Sequence, residues 1–378
     1  MYSALGATNP KGDYMDRDRL IHPDKSFFKK VEGKVIRIIS KGIYENVYCK
    51  YGSNDVAKQI FETALQGFSI ESNATKPDSD TVFYRLKNGK LSEAKITSLL
   101  YMSRPQSHES IIVLLDGHDD MYYGKRKDKH NKKIRVVGTQ PKQGSHYAFK
   151  YLTAKKLHGE VVYTCPLFNG SVIGSSIKII EELKRSYTIL YVIGDGAFPS
   201  SILIEYLQVN KIHFVFRYPP TSKLRCKRMP YNILSTYSTT YKAPYKGHLG
   251  TIPLDFYICK YKGRIKEGAK KKDFYIISDL KLSARKLRKF LKDRWDIESG
   301  FREIEKLTIF TTTRDYMLRF FFHVVACIIY NFWVQIKKQF SLRLHDVVLL
   351  ILELNPVDIF KILEKRSRYF TLSNEKPP

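Results

Sequence analysis

The sequence predicts an α/β fold, a mixed sheet flanked by helices, with a helical region before it and a β-rich insertion within it. Three observations lead there. Between residues 106 and 220, short apolar runs alternate with amphipathic helical spacing. Residues 221–275 break that alternation with strand-like runs rich in Tyr, Lys and Arg, where only Asp255, Glu267 and Asp273 are acidic. Helical spacing before residue 105 and again after Ser283 brackets both stretches. The length, 378 residues, allows two or three such units.

From the N-terminus, residues 1–50 are basic and irregular, with weak strand or helix signals, and residues 1–20 lack the apolar core of a secretory signal. Helical spacing begins with Val56, Ile60, Phe61, Ala64 and Leu65, and Gly67 ends it. After a short segment at 69–73, Pro77, Asp78, Ser79 and Asp80 form a cap before 81–90 (TVFYRLKNGK). Three short helices with a basic last member predict a helix-turn-helix DNA-binding region over 1–105, with an ordinary helical hairpin as the alternative. Residues 111–115 (IIVLL) read as an apolar strand ending at Asp116, and 125–133 (KRKDKHNKK) as a turn or loop. Residues 146–157 and 161–168 read as a hairpin turning at His158–Gly159. An amphipathic helix (176–187), a buried strand (188–193) closing on Gly194–Asp195–Gly196, a helix (202–209) and a strand (211–217) follow.

Within the insertion, 251–261 and 274–277 have strand character. A long helix capped by Ser283 runs to about Leu307, with Leu287, Leu291, Ile297, Phe301 and Ile304 as its apolar stripe. Two apolar helices (317–336 and 342–353) and a polar tail complete the chain. The expected organisation is therefore a helical, DNA-binding N-terminal region (1–105), a core in two parts (106–220 and 276–340), the insertion (221–275), and C-terminal helices with a tail (341–378).

Charge narrows the function. The chain holds 65 Lys+Arg against 37 Asp+Glu, a net charge of +28. Such a surplus repels itself in the compact state and calls for a polyanionic partner, nucleic acid or an anionic membrane. The stretch 317–336 is long enough to span a bilayer, but Arg319, His323, Asn331 and Gln335 interrupt it, so it reads as a buried core helix and no membrane partner is expected. With 43% hydrophobic and 27% charged residues, disordered and fibrous classes are excluded. The five cysteines are scattered, without a Cys-x-x-Cys pair, which points to a reducing cytosol rather than a disulfide framework. No complete phosphate-binding loop of the Gly-x-x-x-x-Gly-Lys-Ser/Thr type is present.

Three carboxylates stand out by position. Asp116 and Asp195 follow apolar strands, and Glu298 lies on the long helix in RWDIESGFREIEK. Carboxylates at the ends of adjacent strands point into one cleft, where repulsion and burial call for a counter-cation. A hard divalent ion is the natural one. Mg²⁺, as two ions with Mn²⁺ as a substitute, would clamp both oxygens of a phosphoryl displacement. Asp119 lies close enough in sequence to serve as an alternative first ligand. Arg294, Glu298 and Arg302 recur every four residues along one stripe, where the arginines can touch a phosphate backbone and hold Glu298 ionised.

In this arrangement the chain resembles an insertion-sequence transposase of the DDE class, with an RNase H-like catalytic domain and a β-rich insertion before its last acid. The motifs are Leu115-Asp116-Gly117-His118-Asp119 with Tyr122-Tyr123-Gly124, Gly194-Asp195-Gly196-Ala197-Phe198, and Arg294-Trp295-Asp296-Ile297-Glu298, and the resemblance covers roughly residues 55–335. It implies that Asp116, Asp195 and Glu298 are the catalytic metal ligands. The related Tyr–Arg–Glu–Lys signature fits at Arg294 and Glu298. Leu291 stands where that signature has Tyr, and Glu305 where it has Lys, with Lys306 one step later.

The resemblance further implies an enzyme that binds terminal inverted repeats, hydrolyses a phosphodiester and transfers the freed 3′-hydroxyl to target DNA. It would act as a homodimer in a paired-end complex, in a cytoplasmic, nucleoid-associated setting. Hairpin and non-hairpin routes both stay open. Lys125, Arg126, Lys127, Lys129, Lys132, Lys133, Arg217, Arg294, Arg302 and Lys306 are the expected DNA contacts. Tyr231, Tyr237, Tyr241 and Tyr245 are candidates to stack on bases. A catalytically decayed DNA-binding repressor and an RNase H-like cellular nuclease are the rival readings.

Overall fold

The computed structural model describes residues 25–45, 48–72, 77–105, 108–127, 134–142, 144–167, 171–218, 231–245, 248–262 and 273–352. Its central strand, β1 (Ser110–Tyr122), is longer than its apolar run. On one edge β3 (Ser145–Lys156) pairs with it antiparallel, from Val113↔Lys156 to Tyr122↔Tyr147. On the other, β5 (Thr188–Gly194) pairs parallel and stops at Leu115↔Gly194. The apolar run 111–115 therefore marks the stretch with strands on both sides. The polar continuation marks where one edge is left open among the described residues.

The remaining strands complete one mixed sheet. β2 (Val137–Lys142) and β4 (Val161–Pro166) share the outer edge of β3. β6 (His213–Tyr218) lies parallel to β5, and β9 (Asp273–Ser278), β8 (His248–Lys262) and β7 (Leu234–Tyr245) follow antiparallel. The order β4-β3-β1-β5-β6 is the mixed sheet of an RNase H-like core. The strands β7 and β8, which lie within 221–275, extend that same sheet by way of β9.

Alternation along the strands sorts side chains onto two faces. Val113, Leu115, Val192, Phe214 and Phe216 pack under α5 (Val172–Lys184) and α6 (Ser201–Val209). Leu114, Ile193, Val215 and Ile276 pack on the other face, under α7 (Ala284–Asp293), α8 (Trp295–Lys306) and α9 (Tyr316–Phe340). The long helix expected over 283–307 is thus two helices meeting at Arg294, where the bonding tightens to an Ile297 N–H donating to the Arg294 carbonyl at 3.0 Å.

The same core takes in α1 (Lys25–Ser40), α2 (Ser53–Gln66), α3 (Ser79–Asn88), α4 (Glu93–Met102) and α10 (Leu344–Leu352). The weak signals over 1–50 conceal α1, whose helix is fixed by the burial of Phe28, Val35, Ile38 and Ile39 rather than by propensity. The caps follow the sequence. Asp78 accepts from the Thr81 N–H at 2.7 Å, and Gly67 ends α2 at φ 67°, a left-handed turn that glycine adopts without strain. In α3, Arg85 is wholly buried and donates to the carbonyls of Tyr44 and Tyr51, so this basic residue holds the fold together.

α9 resolves the apolar stretch near the C-terminus. Of its most apolar window, 94% is buried inside the protein. Each polar interruption has a protein partner. Arg319 grips Asp120 of β1 at 2.9 and 3.0 Å and donates to the carbonyls of Thr311 and Thr313. His323 lies 3.4 Å from Thr164 Oγ1 and stacks on Tyr151. Asn331 exchanges hydrogen bonds with both backbone groups of Val161 and donates to Ser103, and Gln335 reaches the Ser103 carbonyl.

Candidate active site

The site is built at the last rung of the parallel pair. Because Leu115 and Gly194 are in register, the next residues on each strand, Asp116 and Asp195, stand side by side. Alternation turns both to the face covered by α7 and α8. Asp116 is not at the end of its strand, as the apolar run implied. It sits where β5 stops and β1 runs on. β5 stops because Gly194 is pressed against aromatic side chains, where a Cβ would lie 2.6 Å from Phe198, and because the Ala197 N–H turns back onto the Asp195 carboxylate at 2.8 Å. Asp119, three residues on, points to the opposite face. There it accepts from Thr139 Oγ1 at 2.8 Å and lies 3.7 Å from Lys150, its cross-strand partner.

α8 brings the third acid. Its first turn is anchored by Asp296, which accepts from the His158 N–H at 2.8 Å and pairs with the buried Lys155 at the β3–β4 turn. Gly300 allows this approach, since a Cβ there would lie 3.1 Å from both Lys155 and the Tyr330 hydroxyl. Ile297, Phe301 and Ile304 face the core, which leaves Glu298 at the cleft edge with its side chain 40% exposed. Arg294, at the joint between α7 and α8, donates to Asp116 at 3.1 Å and is bonded to Glu298.

Electrostatics mark this point. Burial pushes the Asp116 carboxyl up to about 6, opposed by Arg294 and the Gly117 N–H and reinforced by the charges of Asp195 and Glu298. One guanidinium shared between two carboxylates leaves Asp116 short of positive charge. The adjoining cavity of about 520 Å³ is lined by all three acids, by Asp119 with its partner Lys150, and by His118, Arg302 and Glu305.

Among the described residues no three His, Cys, Asp or Glu side chains already form a metal cage. The guanidinium of Arg294 lies between two of the acids instead. The donor set nevertheless fits a hard divalent cation: it is all carboxylate oxygen, and burial drives its first member, Asp116, toward the neutral form.

The other expected contacts are dispersed. Arg302 lines the cavity, Lys306 pairs with Glu303 at 2.8 Å, and Arg217 lies over the Phe274 ring at 4.6 Å. Lys125, Arg126 and Lys127 are exposed just beyond β1, and Tyr231 sits against Lys260 and Asp273. Lys129, Lys132, Lys133, Glu267, residues 1–24 and the tail from 353 lie outside the described residues. The sequence reading missed Lys150 and Tyr151 in the cavity wall and the Lys155–Asp296 anchor. The 146–157 strand carried the first two, and its register against β1 would have placed them.

A family described as Transposase DDE domain matches residues 108–332. No curated protein matches the chain. Among solved structures, a piggyBac transposase synaptic complex with hairpin DNA, determined by cryo-EM, is similar with a TM-score of 0.53 and 12% identity, over 96% of this chain and 87% of that one. At that identity the likeness is one of fold.

Proposed function

The chain belongs to the transposase DDE-domain family, and from that membership we propose that it is a metal-dependent DNA transposase whose catalytic carboxylates are Asp116, Asp195 and Glu298. The observation that carries the assignment is the register of the parallel pair, which sets Asp116 beside Asp195 on the face where Arg294 ties Asp116 to Glu298. Held by these three, Mg²⁺ or Mn²⁺ would activate water and neutralise the leaving oxygen of a phosphodiester. The chain's own residues position and charge the cleft. Burial raises the energy of the Asp116 anion and so its readiness to take a cation. Arg294, at the joint between α7 and α8 and bonded to both Asp116 and Glu298, is the donor that would turn to a phosphate once a cation takes the two acids. Arg302 on the cavity wall supplies a second donor.

The substrate on this reading is the terminal inverted repeats of its element, cut and then joined to target DNA by a paired dimer. The test is cleavage of a terminal-repeat duplex with Mg²⁺. Asp195→Asn and Glu298→Gln each lower cleavage by at least about 10³-fold, as a chelator does, with duplex binding retained. Cleavage retained in either variant overturns the assignment. One observation favours a second reading, a decayed DNA-binding repressor: the Glu305 carboxylate lies in the cavity, 3.9 Å from His118. Parent protein that binds the repeats and never nicks them with Mg²⁺ or Mn²⁺ would establish that reading.

A further inference from the structure

We propose that the outward face of α7 is a docking surface for the phosphate backbone of duplex DNA, leading it into the cleft at Arg294; this rests on the transposase reading above. α7 divides its residues cleanly. Ala284, Leu287 and Leu291 are buried, while Arg285, Lys286, Arg288, Lys289 and Lys292 are all exposed. At 3.6 residues per turn those five fall within about 160° of arc, directly opposite the apolar stripe.

Among the described residues no carboxylate pairs with any of the five. Four basic residues on or beside other helices do have acidic partners: Lys178 with Glu93, Lys184 with Glu181, Arg185 with Glu182 and Arg343 with Asp346. Like charges three and four residues apart weaken a helix. A face that sets five of them against one carboxylate, the half-buried Asp293 at its C-terminal end, with no ion pair between them, is the electrostatic footprint of a polyanion.

The face is continuous with the cleft. Arg288 lies 5.1 Å from the Tyr261 ring, Tyr261 stacks on Phe274 at 5.5 Å, and Arg217 lies 4.6 Å from the Phe274 ring. Alternation puts Arg217 on the same side of the sheet as Asp116 and Asp195. At its C-terminal end α7 passes straight into Arg294. Ten residues of helix span about 15 Å, roughly four phosphates of one strand. A path ending at a carboxylate cleft suits a nucleic-acid backbone better than a flat anionic membrane.

The experiment uses the full chain and a duplex of arbitrary sequence, about 30 base pairs long, with binding followed by fluorescence anisotropy from about 50 to 200 mM salt. Replacing all five (Arg285→Gln, Lys286→Gln, Arg288→Gln, Lys289→Gln, Lys292→Gln) makes the slope of log affinity against log salt shallower by about 3–4, at roughly 0.9 for each phosphate no longer neutralised, and lowers affinity at least tenfold, to order of magnitude. Exchanging Arg for Lys and Lys for Arg at the same positions keeps the parent slope. If thermal unfolding shows the fivefold variant to be unstable, Arg285→Gln/Lys286→Gln/Lys289→Gln replaces it, with a slope change of about 2. A folded variant with the parent slope and affinity overturns the proposal. So does one that loses binding to phosphatidylcholine–phosphatidylserine vesicles and keeps the duplex. A parent protein that binds no duplex overturns the transposase reading and this proposal together.

Discussion

Two arginine–aspartate pairs stand four residues apart on one face of β1, and they are built for opposite purposes. At Asp120 the guanidinium of Arg319 is 8% exposed and its other donors are taken by the carbonyls of Thr311 and Thr313. The Tyr151 hydroxyl adds a contact at 3.5 Å. Every group there has a partner, and the pair locks α9 to the sheet. At Asp116 a single guanidinium serves two carboxylates with Asp195 alongside, and the acid is held high, at about 6. Full satisfaction fixes a structure. Incomplete satisfaction leaves a charge deficit that a ligand can fill.

Breaking the satisfied pair has the largest effect on stability. Arg319→Leu strands the Asp120 charge and two carbonyls near the core, and destabilises the protein by about 3 kcal/mol, read from the urea midpoint. The same kind of change at the other pair has the opposite sign. Asp116 takes up a proton at about 6 in the folded chain, against an ordinary 3.8, so between those values the native state holds more protons than the unfolded one. This one group therefore lowers stability as pH rises from about 4 to about 6, and keeps it lowered above. Asp116→Asn removes the penalty. In chelator it is more stable than the parent by about 2 kcal/mol at pH 7, and the difference vanishes near pH 3.5. A variant less stable than the parent at pH 7 would show that Asp116 is satisfied after all. The exposed pair of Lys178 and Glu93, 2.8 Å apart, sets the floor of the comparison. Lys178→Ala changes stability by about 0.5 kcal/mol or less in thermal unfolding.

The difference between the two pairs also explains what was legible in the sequence. Periodic patterns gave the hairpin as β3 and β4, the helices α5 and α6, and strands β5 and β6, because each rests on burial along a contiguous stretch. They also placed Asp116 and Asp195 in the neighbourhood of one cleft. The apolar run ended β1 early because its outer half has lost β5 and carries polar residues in alternation. The break at Arg294 was hidden because the apolar stripe of α7 continues in step into α8. The anchor for that break, Asp296 on Lys155, lies 141 residues away, and no local pattern encodes so distant a partner. Arg319 was visible only as an interruption in an apolar helix, since its aspartate is 199 residues upstream.

That separation bears on how the protein is made. Ser103 waits for Asn331, 228 residues later, and Asp120 of β1 waits for Arg319 of α9, so the cover that α7 and α8 begin on one face of the sheet is incomplete until α9 leaves the ribosome. At roughly 5–20 residues per second, Asp120 of β1 stands without Arg319 for on the order of ten to forty seconds in each round of synthesis. A message cut short anywhere before α9 would yield a chain with an open apolar sheet, prey to aggregation and proteases, rather than a shorter protein with part of the activity.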